Sequence, residues 1–404
     1  MKIFYNASMV LLDLGLKAAA LWRPKERLMV SGRRALAARV REAVKPGERI
    51  CWFHASSVGE FEQARPLIEA FRSAHPEFKI LLTFFSSSGY ELRKSWKGAD
   101  YVFYIPIDRP RAVREFLDAV KPEIVYIIKY EFWLNLLSQL RQRKIRTFLV
   151  SAAFRKDSVF FKPWGGEWRK ALSTYETIFV QNQASADLLA GIGIHNAVIA
   201  GDTRFDRVRD IVRSPISLPL VEKFCGASSG IFVAGSTWGP DEEILVRLMN
   251  DNPSVKFIVA PHEMSEARIG ALTGAVHGGS CRYSCPESIS SDCRLLVIDT
   301  VGILSSVYRY ASWAYVGGGF GAGIHNTVEP ASYGLPIAFG PKYRKFSEAV
   351  AMVSLGIARS VGSYEELAAW FAPLCSDESL RRRVCAAALA YTESQIGATQ
   401  KILA

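Results

Sequence analysis

What this chain lacks narrows its chemistry first. Seven cysteines in 404 residues, an odd number, make no disulfide framework, and no Cys-x-x-Cys pair occurs. Cys281, Cys285 and Cys293 lie close together with His277 as their one neighbouring imidazole, a poor zinc set. Free thiols in a reducing compartment fit better. No Asp-x-Asp arrangement for a divalent cation is present, so neither a metal nor a cofactor is expected. Internal repeats and low-complexity tracts are missing too. Acid is the scarcer charge: 39 Asp and Glu against 50 Lys and Arg leave a net +11 and a pI near 9.3. That balance implies an anionic partner. Without a helix-turn-helix, zinc-finger or RNA-binding signature, nucleic acid is disfavoured. A membrane surface or a phosphorylated substrate remains.

No apolar run is clean enough to span a bilayer. Ile3 to Trp22 is mostly apolar but contains Asn6, Asp13 and Lys17, and no small-residue cleavage site marks a signal peptide. From Lys17 to Arg49 ten Lys or Arg residues stand against three Glu. Periodicity alone fits a core helix equally well. The adjoining cationic stretch favours an amphipathic helix lying on an anionic membrane, with Trp22 at headgroup level.

Beyond Gly47, short apolar strands alternate with helices. Ile50–His54, Lys79–Phe84, Tyr101–Ile105, Ile124–Lys129, Thr147–Ser151, Thr177–Gln181 and Ala197–Ala200 read as strands. The pattern resumes with Ile231–Gly235, Lys256–Ala260, Leu295–Ile298, Ala314–Val316 and Pro336–Phe339. Such alternation predicts parallel sheets covered on both faces. Ser214-Pro215 and Leu218-Pro219 break it. The expected fold class is α/β, with two Rossmann-like domains facing across a cleft. Residues 1–46 form the membrane-associating segment, 47–211 the first domain and 212–404 the second, whose last helix can return to the first. Ligands of such sheets bind beyond the carboxyl ends of the strands.

Those strand ends carry the candidate chemistry. Glu60 follows His54-Ala55-Ser56-Ser57-Val58-Gly59 at a helix start, where the dipole favours an ionised carboxylate able to take a proton. Local pattern alone favours an ordinary capping role for it. Glu131, in Tyr130-Glu131-Phe132-Trp133, is a second carboxylate or a helix-start charge. Arg204, in Gly201-Asp202-Thr203-Arg204-Phe205-Asp206, suits a departing phosphate, and a salt bridge to Asp202 or Asp206 fits equally. Ser236 and Thr237 end the first strand of the second half, where they suit a phosphate cradle or simple capping. Pro261 and His262, and Thr300 through Val301, Gly302 and Ile303, hold equivalent positions suited to a base. Between Tyr315 and Pro336 a glycine-dense turn leads to Asn326, Thr327, Val328 and Glu329. Glycines there admit close backbone approach to a ligand, and a helix N-terminus favours an anion. A carboxylate at Glu329 suits ribose hydroxyls, as a sugar-nucleotide site requires. Phe154 to Lys170 interleaves five aromatics with five cations, which suits an acylated, phosphorylated glycolipid.

Taken together, His54 to Glu60, Tyr130 to Trp133, Gly201 to Asp206, Gly235-Ser236-Thr237, Val316-Gly317-Gly318 and His325 to Pro330 resemble, in order and spacing, the 3-deoxy-D-manno-octulosonic acid (Kdo) transferases of lipopolysaccharide synthesis. The resemblance runs over nearly the whole chain. It implies a GT-B fold and inverting, metal-independent transfer of Kdo from CMP-Kdo to a lipid A precursor of the lipid IVA type. It further implies a place at the cytoplasmic face of the inner membrane. Glu60 matches the family's general base, and Glu131 and Arg204 match positions that stabilise the transition state. CMP contacts carry over to Pro261, His262, Val301 to Ile303 and Asn326 to Glu329. Departures are His262 for a usual Arg, Val301-Gly302-Ile303 for Met-Gly-Glu, Lys129 for an acid and Arg204 for Lys. A nucleotide-sugar epimerase, or a non-catalytic membrane-attached nucleotide-binding protein, is the alternative within the same shape.

Overall fold

A computed structural model describes residues 2–214, 216–228 and 230–404. The chain divides into two compact units, Met1–Arg207 with Gly397–Ala404, and Val208–Ile396. The division falls inside the helix Thr203–Arg213, ahead of the proline-marked break.

In the first unit β1 (Arg49–His54), β2 (Phe78–Phe84), β3 (Tyr101–Tyr104), β4 (Ile124–Ile128), β5 (Arg146–Ala152), β6 (Thr177–Val180) and β7 (Ala197–Ile199) form one sheet in the order β3-β2-β1-β4-β5-β6-β7. Every pairing is parallel. The apolar runs dictate this, because only a sheet covered on both faces uses strands without polar alternation. Trp52, Leu81, Val125 and Leu149 pack on one face and Phe53, Leu82, Tyr126 and Ile128 on the other.

Seven helices of this unit matter here: α1 (Lys2–Ala19), α2 (Pro24–Gly32), α3 (Leu36–Ala43), α4 (Val58–Ala74), α5 (Ser87–Arg93), α6 (Pro110–Val120) and α7 (Leu134–Gln142). In α6, Pro110 opens the first turn, where its missing N–H costs nothing. Val113, Phe116, Leu117 and Val120 then recur at helical spacing and are buried. Each such side chain contributes about 1.5–3 kcal/mol, and Phe116→Ala would cost about 3–5 kcal/mol.

α1 presents two faces. One is docked: Tyr5 donates to the buried Asp108 at 2.7 Å, Asn135 donates to Asn6 at 2.8 Å, and Arg109 reaches Asp13 at 2.9 Å. Asp108 also accepts from the Asn135 and Leu136 amides at the start of α7. On the other face Ile3, Phe4, Leu11 and Leu14 are exposed, and Leu21 and Trp22 follow. Among the described residues no helix is long and apolar enough to cross a membrane.

The segment expected to receive a glycolipid is largely structural. Phe154 and Phe160 are buried, Phe161 and Trp168 pack partly against the same core, and Trp164 alone is exposed. Arg169 donates to the carbonyls of Phe160 and Lys162, which folds the segment onto itself.

The second unit repeats the architecture with β8 (Ile231–Thr237), β9 (Lys256–Pro261), β10 (Ser280–Arg282), β11 (Leu295–Val297), β12 (Trp313–Val316), β13 (Ile337–Phe339) and β14 (Ala358–Ser360), ordered β10-β11-β9-β8-β12-β13-β14. β10 and β14 are the two edges and were not expected. The last helix, Ala398–Leu403, belongs to the first unit. Asp206 accepts the Gly397 and Thr399 amides, both at 2.7 Å, and Ile402 joins the core of β1 and α4.

Candidate active site

Strand order brings the first unit's candidates together. β1 and β4 are neighbours, with His54 opposite Ile127, so the loops carrying Glu60 and Glu131 leave the sheet side by side. Glu60 is the third residue of α4, and its carboxylate accepts the Ser57 amide at 3.0 Å. It is therefore a capping residue and a half-buried carboxylate at once. Burial and the nearby Glu131 raise its pKa, against the smaller pull of His54, the Ser56 backbone and Lys129. Desolvation is the largest of these influences, so Glu60 holds its proton more tightly than a free carboxylate despite its place at a helix start.

Glu131 goes the other way. Burial opposes its charge, but His54, the Ser56 hydroxyl and the Trp133 indole outweigh burial and hold it below the usual carboxylate range. His54 Nε2 lies 3.6 Å from the carboxylate, while Nδ1 is held by Thr83 Oγ1 at 2.9 Å. Two neighbouring carboxylates with proton affinities pushed apart are the pattern by which a site assigns acid and base roles.

Arg204 is paired with Asp202, its Nη2 and Nε at 2.6 and 2.9 Å. Asp202 is buried, and Arg204 and Lys129 overcome that burial to keep its pKa low. The Gln63 amide oxygen, oriented to accept, stands 3.2 Å from both Lys129 Nζ and Arg204 Nε. Thr203 donates to the Gln63 carbonyl at 2.7 Å, which draws the segment after β7 back over α4. Lys129 itself adopts φ +62. A side chain seldom tolerates that region, and such strain gathers where a side chain must be aimed. Lys129, Gln63 and Asp202 were not read as site members; Lys129, standing between a buried strand and Glu131, carried the available signal.

In the second unit, Thr237, Pro261 and Val316 end adjacent strands. The His262 amide donates to the Thr237 carbonyl at 2.9 Å, and Thr237 Oγ1 donates to Glu242 at 2.7 Å. Ser236 takes φ +56, a second strained position at a strand end. The His262 ring stacks between Trp238 and His325, with centroids 4.5 and 4.8 Å away. Burial and His262 lower the His325 pKa, partly offset by Asp241. Asn326 donates to Glu329 at 3.0 Å and accepts the Val328 amide at 3.1 Å. It precedes the helix instead of opening it, and that helix, Val328–Ser332, is barely more than one turn. Thr327 is buried, with its hydroxyl unpartnered. Val301 and Gly302 are exposed ahead of Leu304–Val307, while Ile303 is half-buried against the core.

The glycine-dense turn needs its glycines for close passage of its own backbone. A Cβ on Gly317 would lie 2.3 Å from the Ser236 carbonyl oxygen, and one on Gly319 would lie 2.5 Å from Gly340 Cα. Backbone meets backbone there. Fully buried Asp241 ties the turn down, accepting from the Trp238 amide, the Tyr315 hydroxyl and the Gly318 amide at 2.8–2.9 Å. Sequence reading missed Asp241 and Trp238; the spacing of a capping box, first residue to fourth, was the usable signal.

Known proteins fit this picture. A family model described as 3-deoxy-D-manno-octulosonic-acid transferase (kdotransferase) matches residues 25–207. The 3-deoxy-D-manno-octulosonic acid transferase of Aquifex aeolicus is 26% identical over 315 residues, covering 76% of this chain and 80% of that protein. That of Bordetella pertussis is 24% identical over 371 residues, covering 87% and 85%. A solved UDP-GlcNAc 2-epimerase from Neisseria meningitidis superposes with a TM-score of 0.62 at 16% identity, covering 88% of this chain and 98% of that one. At that identity it speaks to the fold alone. Twin parallel α/β units of this kind are a GT-B-like fold, and the relatives that the sequence resembles are named as glycosyltransferases. More narrowly, residues 25–207 match the Kdo transferase family model, and most of the chain's length is similar to enzymes named as Kdo transferases.

Proposed function

We propose that the chain transfers Kdo from CMP-Kdo to a lipid A precursor of the lipid IVA type during lipopolysaccharide synthesis. The observation that supports this most is the opposed titration of Glu60 and Glu131. Glu60, its proton affinity raised, takes the proton of the acceptor hydroxyl as the oxygen bonds to the anomeric carbon of Kdo. The bond from that carbon to the CMP phosphate breaks, its electrons leave with CMP, and configuration inverts. Glu131 stays ionised and stabilises positive charge developing at the anomeric carbon. Arg204 and Lys129 neutralise the departing phosphate, so no divalent ion is required. Ser236, Thr237, Pro261, His262, Val301 to Ile303 and Asn326 to Glu329 hold the cytidylate, with Glu329 on the ribose.

A seat on the cytoplasmic face of the inner membrane is part of this reading, supported by the exposed apolar face of α1 and the cationic residues after it. The test is to incubate the protein with CMP-Kdo and a tetra-acylated, diphosphorylated glucosamine disaccharide and to weigh the lipid. A mass gain of whole Kdo units, unchanged by a chelator, is expected. An unaltered lipid would refute transfer and leave the epimerase or non-catalytic reading, and loss of product with chelator would refute metal independence.

A further inference from the structure

We infer that a cavity walled by α1, α2, α3 and α6 is the subsite for an acyl chain and adjoining phosphate of the glycolipid acceptor, a placement that rests on the proposed function. The cavity begins with how the N-terminal helices are held. Arg27 on α2 donates to the Ala20 and Leu21 carbonyls, both at 3.1 Å, and so fixes the elbow after α1. Arg33 pins the end of α2 to the sheet, donating to the Ile105 carbonyl at 2.9 Å and the Phe85 carbonyl at 2.8 Å. Its guanidinium lies over the rings of both Phe85 and Tyr104. Ala35 at φ +49 then turns the chain into α3.

These braces hold open a space of about 890 Å³, within the range of small-molecule sites. Leu16, Val30, Leu36, Ile107 and Phe116 give it an apolar lining. Besides the braced Arg33, the cations Lys17, Arg27, Arg34, Arg41 and Arg109 surround it, against the carboxylates of Asp13 and Glu115. Both carboxylates are already engaged, Asp13 by Lys17 and Arg109 and Glu115 by Arg111. Arg34 and Arg41 are exposed and have no side-chain acceptor among the described residues. An apolar floor suits neither a nucleotide nor a free sugar phosphate, and uncompensated guanidinium groups suit no neutral lipid. A phosphorylated, acylated molecule satisfies both.

Position supports the acceptor as the occupant. Leu21 and Trp22, 67% and 77% exposed, directly follow the lining residue Ala20 and offer an apolar approach from a bilayer. Pro106 and Ile107 continue from β3, which β2 alone separates from β1. Strand spacing sets those two ends about 10 Å apart, so a disaccharide seated here extends toward Glu60. Phe85, bound by Arg33, stacks on Trp133 at 5.4 Å, and Trp133 donates to Glu131. The aromatic segment Phe154–Lys170, already folded onto its own core, leaves this as the cationic and apolar surface near the carboxylates.

The test measures binding without turnover, by titration calorimetry with the tetra-acylated, diphosphorylated disaccharide in mixed micelles. Ala112→Trp fills the cavity, and the pair Arg34→Glu and Arg41→Glu reverses its rim charge on exposed positions that leave the packing alone. Each is expected to weaken binding of that lipid about tenfold or more, with CMP affinity unchanged and sedimentation with phosphatidylglycerol vesicles falling clearly less. Should Ala112→Trp fail to fold, the charge-reversed pair decides alone. Unchanged lipid binding in that pair overturns the subsite, and so does an equal loss on phosphatidylglycerol vesicles, which would mark a general lipid contact. A wild-type chain that binds the disaccharide but never adds Kdo overturns the proposed function and leaves the subsite standing.

Discussion

The two sheets have the same strand count and the same parallel grain, yet their carboxyl ends differ in kind. In the first unit they carry ionisable groups that lean on one another: Glu60 against Glu131, His54 beside both, and Lys129 and Arg204 sharing Gln63 and Asp202. In the second they carry glycine, hydroxyl and ring, and the buried carboxylate of Asp241 serves the backbone. One copy of the fold gathers side chains that shift one another's charge. The other ties its loops down through backbone contacts. The division explains why a parallel sheet suits both tasks: its strand ends lie in a row, and the loops decide what the row does.

Changes that break one side should leave the other intact. Glu60→Gln carries the largest effect, a fall in kcat of about 10²–10⁴-fold with CMP affinity preserved; near-normal turnover in folded protein would remove Glu60 from its role. Asp241→Ala is its counterpart in the second unit. Three donors, two of them buried, lose their acceptor, costing about 3 kcal/mol, and a thermal melt together with CMP titration should show both stability and nucleotide affinity falling. Gly317→Ala forces a methyl against the Ser236 carbonyl, at about 1–3 kcal/mol, with the KM for donor rising more than that for acceptor.

Glu131→Gln sharpens the comparison through pH. Glu60 works ionised, so the rate rises as pH climbs through its pKa, and Glu131 raises that pKa. Removing the neighbour's charge should move the acidic limb of the pH–rate profile to lower pH, whatever the height of the plateau. A limb that stays put would uncouple the pair. Tyr5→Phe is the mildest change. It deletes the hydrogen bond to Asp108, about 1 kcal/mol, and proteolysis at the α1–α2 elbow should quicken while kcat barely moves.

Much of this was legible in sequence because burial leaves a composition. Ile124 to Ile128, apolar throughout, can only be a strand covered on both sides, and twelve of the strands announced themselves so. β10 and β14 did not. Ser280-Cys281-Arg282 and Ala358-Arg359-Ser360 are three residues each at sheet edges, where one neighbour's hydrogen bonds suffice and no apolar run is needed. Glu60 and Glu131 were found by their place after strands; the opposition in their proton affinity was not, since it depends on which strands are adjacent. The glycines of 317 to 319 were visible, but the backbone segments they pass were not. Sequence tells where the backbone must pass closely and not what it passes.

The helix Ala398–Leu403 bears on how the chain can be taken apart. Because Asp206 and the β1–α4 core claim it, the second unit is an insertion, flanked on both sides by segments of the first. A fragment running from 208 to 396 keeps every strand of its sheet, whereas one stopping at 207 leaves a gap where Ile402 belongs. Dissection is therefore one-sided: the second unit can be excised, but the first is whole only when its last few residues are supplied back to it.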